Sequence, residues 1–259
     1  MQIAGRPVES DIRPAGWITE ALRPFTEHAV GSLVPPVFEA YARVFHPAVR
    51  YPDDWFPETE SAEPDSSEPL APDEDVTWAE VAAFNGRTAH PAMEWASITG
   101  SWEFRGNDDQ PGMWNDAPAE GHLPVSVATR LAAVLARHTA TPTDCWFGVW
   151  EGFGFFPAGG LTLALPGREH WLLRGPVDLA AANMAEEPSE QSANLWWPDD
   201  RAWFVATDID LMTTYVGGSA ACIADLLAAD GLEAAPVPAD QRVTWDADTV
   251  NPLPMDGPG

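Results

Sequence analysis

The chain has 259 residues, 45% of them hydrophobic, with 40 acidic side chains against 13 basic ones and a formal net charge of −27. That length and apolar content suffice to bury a core without staples, and two cysteines, Cys145 and Cys222, are too few for a disulfide framework or a structural zinc site. A negative field of this size repels phosphate backbones and anionic lipid, so no nucleic-acid partner is expected, and the acidity serves either solubility or a partner with a basic surface.

The first residues, MQIAGRPVESDIRPAG, have no basic stretch followed by an apolar run, and no later segment reaches the roughly 20 apolar residues needed to cross a bilayer. No membrane partner is expected, and a cytoplasmic, reducing setting is. Pro35-Pro36 followed by VFEAYARVFHPAV places Val37, Tyr41, Val44 and Phe45 at helical spacing, which predicts an amphipathic helix and an N-terminal helical segment over 1–56. Residues 57–75, PETESAEPDSSEPLAPDED, hold eight of the 40 acidic residues and four prolines, the composition of an acidic disordered linker. Residues 76–259 are then the main domain.

Thr77 caps a short predicted helix whose Trp78, Val81 and Phe84 share a face and whose stop is Gly86. Residues 100–123 read as a long ordered loop pinned by Trp102, Phe104 and Trp114. Ser126 is the expected cap of a helix to Thr139, with Val127, Leu131, Val134 and Leu135 as its apolar stripe. The runs CWFGVW, LTLALP and HWLLRG predict three strands, Val177 to Met184 a helical turn, and Ala185 to Ala193 an exposed loop. WFVATDI predicts a buried strand leading through a glycine loop into a helix capped by Ser219, with Cys222, Ile223, Leu226 and Leu227 on its apolar face and Gly231 as its stop. The expected fold is α+β: an antiparallel or mixed sheet from Cys145 to Asp208, covered by the helices at 126–139 and 219–230.

Three groups of residues carry candidate chemistry. Asp208 and Asp210, two apart where a strand ends, point the same way as a metal or phosphoryl-transfer site requires; otherwise they cap a turn or pair with an arginine such as Arg201. DIDLMT resembles the opening of the haloacid dehalogenase motif, but its hydroxyl comes one place late at Thr213 and the chain has no lysine for a phosphate. Tyr215, Gly217, Gly218 and Ser219 could aim backbone N–H groups at a small ligand, or make a tight turn into the helix. Trp196 and Trp197, before a DDR turn, are the candidate solvent-facing interaction residues among 13 tryptophans. The six histidines are dispersed without ligand spacing and no nucleophile elbow is present, so neither metal nor cofactor is expected.

The blocks LVPPVFEAYARVFHPA, TWAEVAAFNGR, CWFGVWEGFGF, LPGREHWLLRGPV and LWWPDDRAWFVATDIDLMTTYVGGS, in this order, resemble a family of uncharacterised actinobacterial proteins, a resemblance that brings no activity or residue role with it. The proline-led N-terminal helix, the aromatic strands near a W-x-G element and the acidity are also similar to Smi1/Knr4-like (SUKH) immunity proteins, from which the acidic insertion after Phe56 and the final strand and helix depart. That second resemblance implies a non-catalytic α+β module that binds a toxin or another protein. The leading expectation is therefore a non-enzymatic acidic protein-interaction module of inhibitor or immunity type. Its alternatives are a metal-assisted hydrolase or phosphotransferase using Asp208 and Asp210, and a small-ligand binder at Tyr215 to Ser219.

Overall fold

The computed structural model describes residues 1–52, 73–102, 110–154, 160–186 and 188–254. In chain order its strands are β1 (Gln2–Ile3), β2 (Arg6–Pro7), β3 (Ala40–Phe45), β4 (Ala48–Arg50), β5 (Glu74–Val76), β6 (Cys145–Trp150), β7 (Leu163–Leu165), β8 (Arg168–Gly175), β9 (Leu195–Pro198), β10 (Trp203–Thr207), β11 (Thr213–Gly218) and β12 (Ala234–Val237). Its α-helices are α1 (Gly16–Ala21), α2 (Trp78–Phe84), α3 (Trp95–Thr99), α4 (Val125–Leu135) and α5 (Ala220–Leu227). No helix among the described residues is long and apolar enough to cross a membrane. The chain divides into two compact units, the larger made of Met1–His46, His90–Ala92 and Ala119–Ala247, the smaller of Pro47–Ala89, Met93–Pro118 and Asp248–Gly259.

The fold is α+β. In the larger unit eight strands form one sheet in the order β12-β3-β11-β10-β9-β6-β8-β7, and every pairing is antiparallel. Val205 of β10 stands opposite Val216 of β11 on one side and Trp196 of β9 on the other, which fixes the register at the centre. Side chains alternate between faces along each strand. Trp203 and Val205 join one apolar cluster with α4, α5 and the turn at Val177–Ala181; Phe204 and Ala206 join a second, with Ile18 of α1 and Val30 and Val34 of the N-terminal segment. Both faces are thus covered, so strands such as WFVAT read as unbroken apolar runs rather than alternating ones.

That double burial explains the main departure from expectation. The helix predicted after Pro35-Pro36 is strand β3, paired with β11 and β12. Tyr41 to Phe45 are all buried, with Tyr41 on the N-terminal face and Ala42 and Val44 on the helix face. A segment buried on two sides loses its amphipathic pattern, and its apolar residues then satisfy a helical and an extended template alike. Strand β3 brings the N-terminal segment into the sheet, which is therefore wider than the stretch from Cys145 to Asp208.

Other elements sit close to their predicted places. Ser219 caps α5, its hydroxyl accepting from the Cys222 N–H at 3.2 Å, and Gly231 takes the left-handed conformation three residues beyond the C-cap Ala228. Helix α4 starts at Val125 behind Pro124, one residue before the expected cap Ser126. Within the stretch expected as an exposed loop, Gln191, Ser192 and Ala193 are buried, because Ser192 accepts from the Leu123 N–H and Gln191 donates to Gly121 O.

In the smaller unit, Thr77 and Glu80 form a complete capping box on α2, with Thr77 Oγ1 accepting from the Glu80 N–H at 3.2 Å and Glu80 Oε2 from the Thr77 N–H at 2.8 Å. Trp95 packs between Trp78 and Trp114, with ring centroids 5.2 and 5.3 Å apart, so Trp114 pins the loop as its indole predicts. Phe104 lies outside the described residues, as does the predicted linker up to residue 72; Glu74 and Asp75 pair with Arg50 and Val49 in the β4–β5 ladder.

Candidate functional site

Strand β10 ends at Thr207, and the chain turns through Asp208 and Asp210. Asp208 Oδ1 accepts from the Asp210 N–H at 3.1 Å, closing an Asx turn. Arg168, at the start of β8, donates Nη2–H to Asp208 Oδ1 at 3.2 Å and to Asp210 Oδ2 at 2.5 Å. The arginine partner considered in the sequence, Arg201, is not the one used. Instead the sheet delivers Arg168 from 40 residues upstream. A divalent cation at this pair would have to displace the guanidinium, and among the described residues no three His, Cys, Asp or Glu side chains cluster as metal ligands.

The residues from Tyr215 to Gly218 do not form a loop. They belong to β11, are buried, and pair with β10 and β3 on either side. A Cβ on Gly217 would come within 2.5 Å of the Phe38 ring and 2.8 Å of Val34, so this glycine admits close packing rather than an anion. Tyr215 is 1% exposed, and only Ser219 reaches solvent, as the cap of α5. Trp196 and Trp197 are likewise each 1% exposed, which corrects the expectation of a solvent-facing pair. As neighbours on β9 they point to opposite faces: Trp196 packs on Trp203 beneath the helices, and Trp197 stacks on Phe204 beneath the N-terminal segment.

The N-terminal face holds a partly buried and a buried polar side chain that belong to none of the three sequence-predicted groups. Arg168 and His170 are two apart on β8 and therefore share a face, the one on which Leu172 joins the second apolar cluster. With Leu195, Ala206 and Asp208 they floor a cavity of about 40 Å³, roofed by Leu22, Phe25, Ser32 and Leu33. The guanidinium carbon of Arg168 lies 5.9 Å from the ring centroids of both Phe25 and Trp150. His170 is 3% exposed; burial, and then the charge of Arg168, push its pKa down to about 3, so the ring is neutral. Its Nδ1 and the Nε–H of Arg168 are both buried without a hydrogen-bond partner. Leaving such an atom unsatisfied costs about 1–3 kcal/mol. The spacing R-x-H on an aromatic strand was the available signal, but it is weak when the histidines are judged only for metal spacing.

The other buried histidine contrasts with it. His46 Nδ1 lies 2.6 Å from Ala119 O, and as a carbonyl only accepts, this nitrogen carries the proton. Nε2 then accepts from Thr214 Oγ1 at 2.9 Å, and Thr214 in turn bonds Thr207 Oγ1 at 2.6 Å. Burial lowers the His46 pKa to about 3 as well. The thiols are equally far from neutrality: burial and nearby aspartates push Cys145 up to about 12, and burial with Asp225 pushes Cys222 up to about 11.

At the surface the arginines are largely committed to carboxylates. Arg13 pairs with Asp11, Arg50 with Glu74, Arg137 with Asp225, Arg174 with Asp144 and Arg242 with Asp246. Since 13 arginines face 40 acidic residues, the remaining carboxylates leave the surface strongly negative. An antiparallel α+β sheet with one helical and one irregular cover is the class that these observations define. The chain matches no protein-family model, no curated protein and no solved structure.

Proposed function

We propose that the chain is a non-enzymatic interaction module that recognises a protein partner through an acidic surface matched to a basic one. The observation that carries this reading is the excess of 40 acidic residues over 13 arginines, several of which are already paired with carboxylates. Complementary charge of this kind speeds encounter and selects partners. Chemistry at neutral pH has little support among the described groups: Asp208 and Asp210 are held by Arg168, both thiols stay protonated, and the two buried imidazoles are poor bases. An inhibitor or immunity role is the special case in which the basic partner is itself harmful.

Immobilised full-length chain should retain a stoichiometric basic protein from its native host. The association rate should fall steeply from low salt to about 0.5 M, where the Debye length shrinks to a few ångströms. Failure to recover a stoichiometric partner at any ionic strength would overturn the reading, and so would a partner whose association rate ignores salt.

A further inference from the structure

We propose that the pocket between the start of α4 and the turn at Val177–Ala181 binds the ammonium group of an aliphatic amine. This site is separate from the acidic-surface reading, because a free amine needs no docked protein.

The pocket offers about 190 Å³ of water-accessible space, room for roughly a dozen or more water-sized groups at about 10–15 Å³ each, which suits a charged head on a stem of several carbons. Leu123, Val125, Ala180, Ala181 and Ala182 supply apolar wall for such a stem, and the exposed Val125 and Glu190 lie at its mouth.

Hydrogen-bond accounting sets the chemistry. Each side-chain donor atom on the wall already gives to a carbonyl: Gln191 Nε2 to Gly121 O at 3.3 Å and Ser192 O at 3.0 Å, Asn183 Nδ2 to Ser189 O at 2.8 Å, Ser192 Oγ to Ala193 O at 3.2 Å, and His122 Nδ1 to Glu120 O at 3.3 Å. Acceptors are what remain. Because both bonds of Gln191 Nε2 run to carbonyls, the other end of the amide is the oxygen. Gln191 is 5% exposed, and its Oε1 accepts no hydrogen bond among the described residues, yet it is not one of the buried polar atoms sealed from water. The pocket that Gln191 lines is the opening left to that oxygen. His122 Nε2 carries the lone pair when Nδ1 holds the proton, and the exposed Glu190 adds a carboxylate. A primary ammonium brings three donors to these three acceptors.

Charge points the same way. No arginine lines the pocket among the described residues, so a carboxylate or phosphate ligand would meet Glu190 without a counter-charge. The net charge of −27 concentrates cations around the molecule. A metal ion is a poorer fit than an ammonium, since no three His, Cys, Asp or Glu side chains cluster there.

The test is an NMR titration of the isotope-labelled full chain at about pH 8, where an imidazole is ordinarily neutral and an alkylammonium charged. Butylammonium should give saturable shifts at the Gln191 side-chain amide and the His122 ring nitrogens with millimolar affinity, while butanol binds about tenfold more weakly and butyrate leaves both unmoved. Glu190→Gln changes an exposed side chain; it should keep the unfolding midpoint and weaken butylammonium about tenfold. His122→Phe, which removes Nε2, should weaken it as well. Glu20→Gln takes an equal charge from α1, on the opposite face of the sheet, and should leave the affinity unchanged. A second arm uses N-acetyl-lysine methylamide: binding at least as tight as butylammonium assigns the site to a lysine side chain of a peptide, and weaker binding assigns it to a free alkylamine. Absence of saturable shifts with either ammonium, butanol or butyrate binding as tightly as butylammonium, undiminished binding by both Glu190→Gln and His122→Phe, or an equal loss from Glu20→Gln would overturn the proposal.

Discussion

The two faces of the central sheet bury similar apolar side chains, yet they differ in how they treat polar atoms. Under α4 and α5 the Trp203 indole N–H finds Leu135 O at 3.0 Å, and Thr207 and Thr214 complete a chain to His46. Under the N-terminal segment the atoms left without partners accumulate: Trp17 Nε1, Arg168 Nε and His170 Nδ1. The helical cover is built from two regular elements whose apolar stripes lie flat on the strands and leave carbonyls at predictable places. The other cover is a short helix and 3-10 turns punctuated by Pro14, Pro24, Pro35 and Pro36, which cannot seal a sheet so closely. A tightly packed face makes a core, and a loosely roofed one leaves a small cavity.

The largest expected effect lies on the sealed face. Trp203→Ala removes a fully buried indole and its bond to Leu135 O, and should cost about 3–5 kcal/mol in urea unfolding. Leu33→Ala truncates a partly buried side chain that already borders the cavity and should cost less than about 1.5 kcal/mol. Equal losses at the two sites would erase the distinction between the covers.

Acid should weaken both faces through their histidines. Each ring has its pKa lowered from 6.5 to about 3 by burial, so above pH 6.5 the folded and unfolded chains hold the same protons there. As pH falls below 6.5 only the unfolded chain protonates, and stability is lost by about 1.4 kcal/mol per pH unit per ring until roughly pH 3. Denaturation midpoints measured from pH 7 to 4.5 should fall by the equivalent of ~3 kcal/mol for each histidine. His170→Phe and His46→Phe should each flatten that slope by one proton. Their cost at pH 7 should differ: His170→Phe about neutral or stabilising, His46→Phe destabilising by about 1–3 kcal/mol because Ala119 O and Thr214 lose a partner. The same cost for both would show that the two nitrogens are equally satisfied.

Gly217→Ala pushes a methyl into Phe38 and Val34 beneath the N-terminal cover and should cost about 1–3 kcal/mol, seen as a lowered thermal midpoint. A neutral result would mean that the roof yields at no cost. The smallest effect belongs to Asp210→Asn. Its ion pair with Arg168 has an exposed carboxylate and should contribute under about 1 kcal/mol, whereas the same change at the more buried Asp208 should cost more.

What could be read from the chain alone is what neighbours within a few residues decide. The Thr77-x-x-Glu80 box, the Ser219 cap, the apolar run of β10 and the excess of acid over arginine each act locally or by simple count, and each stands in the folded protein as expected. Tertiary structure decided the rest, because it depends on which distant strand lies alongside. Burial on two faces turned a helical pattern at Tyr41 to Phe45 into β3, hid Trp196 and Trp197 on opposite sides, and made Tyr215 to Gly218 a strand. Ladder order brought Arg168 to Asp208 and Asp210 and set His170 under an irregular roof. Local propensity cannot anticipate such pairings, since a strand's partners and the cover above it are supplied by chain many tens of residues away.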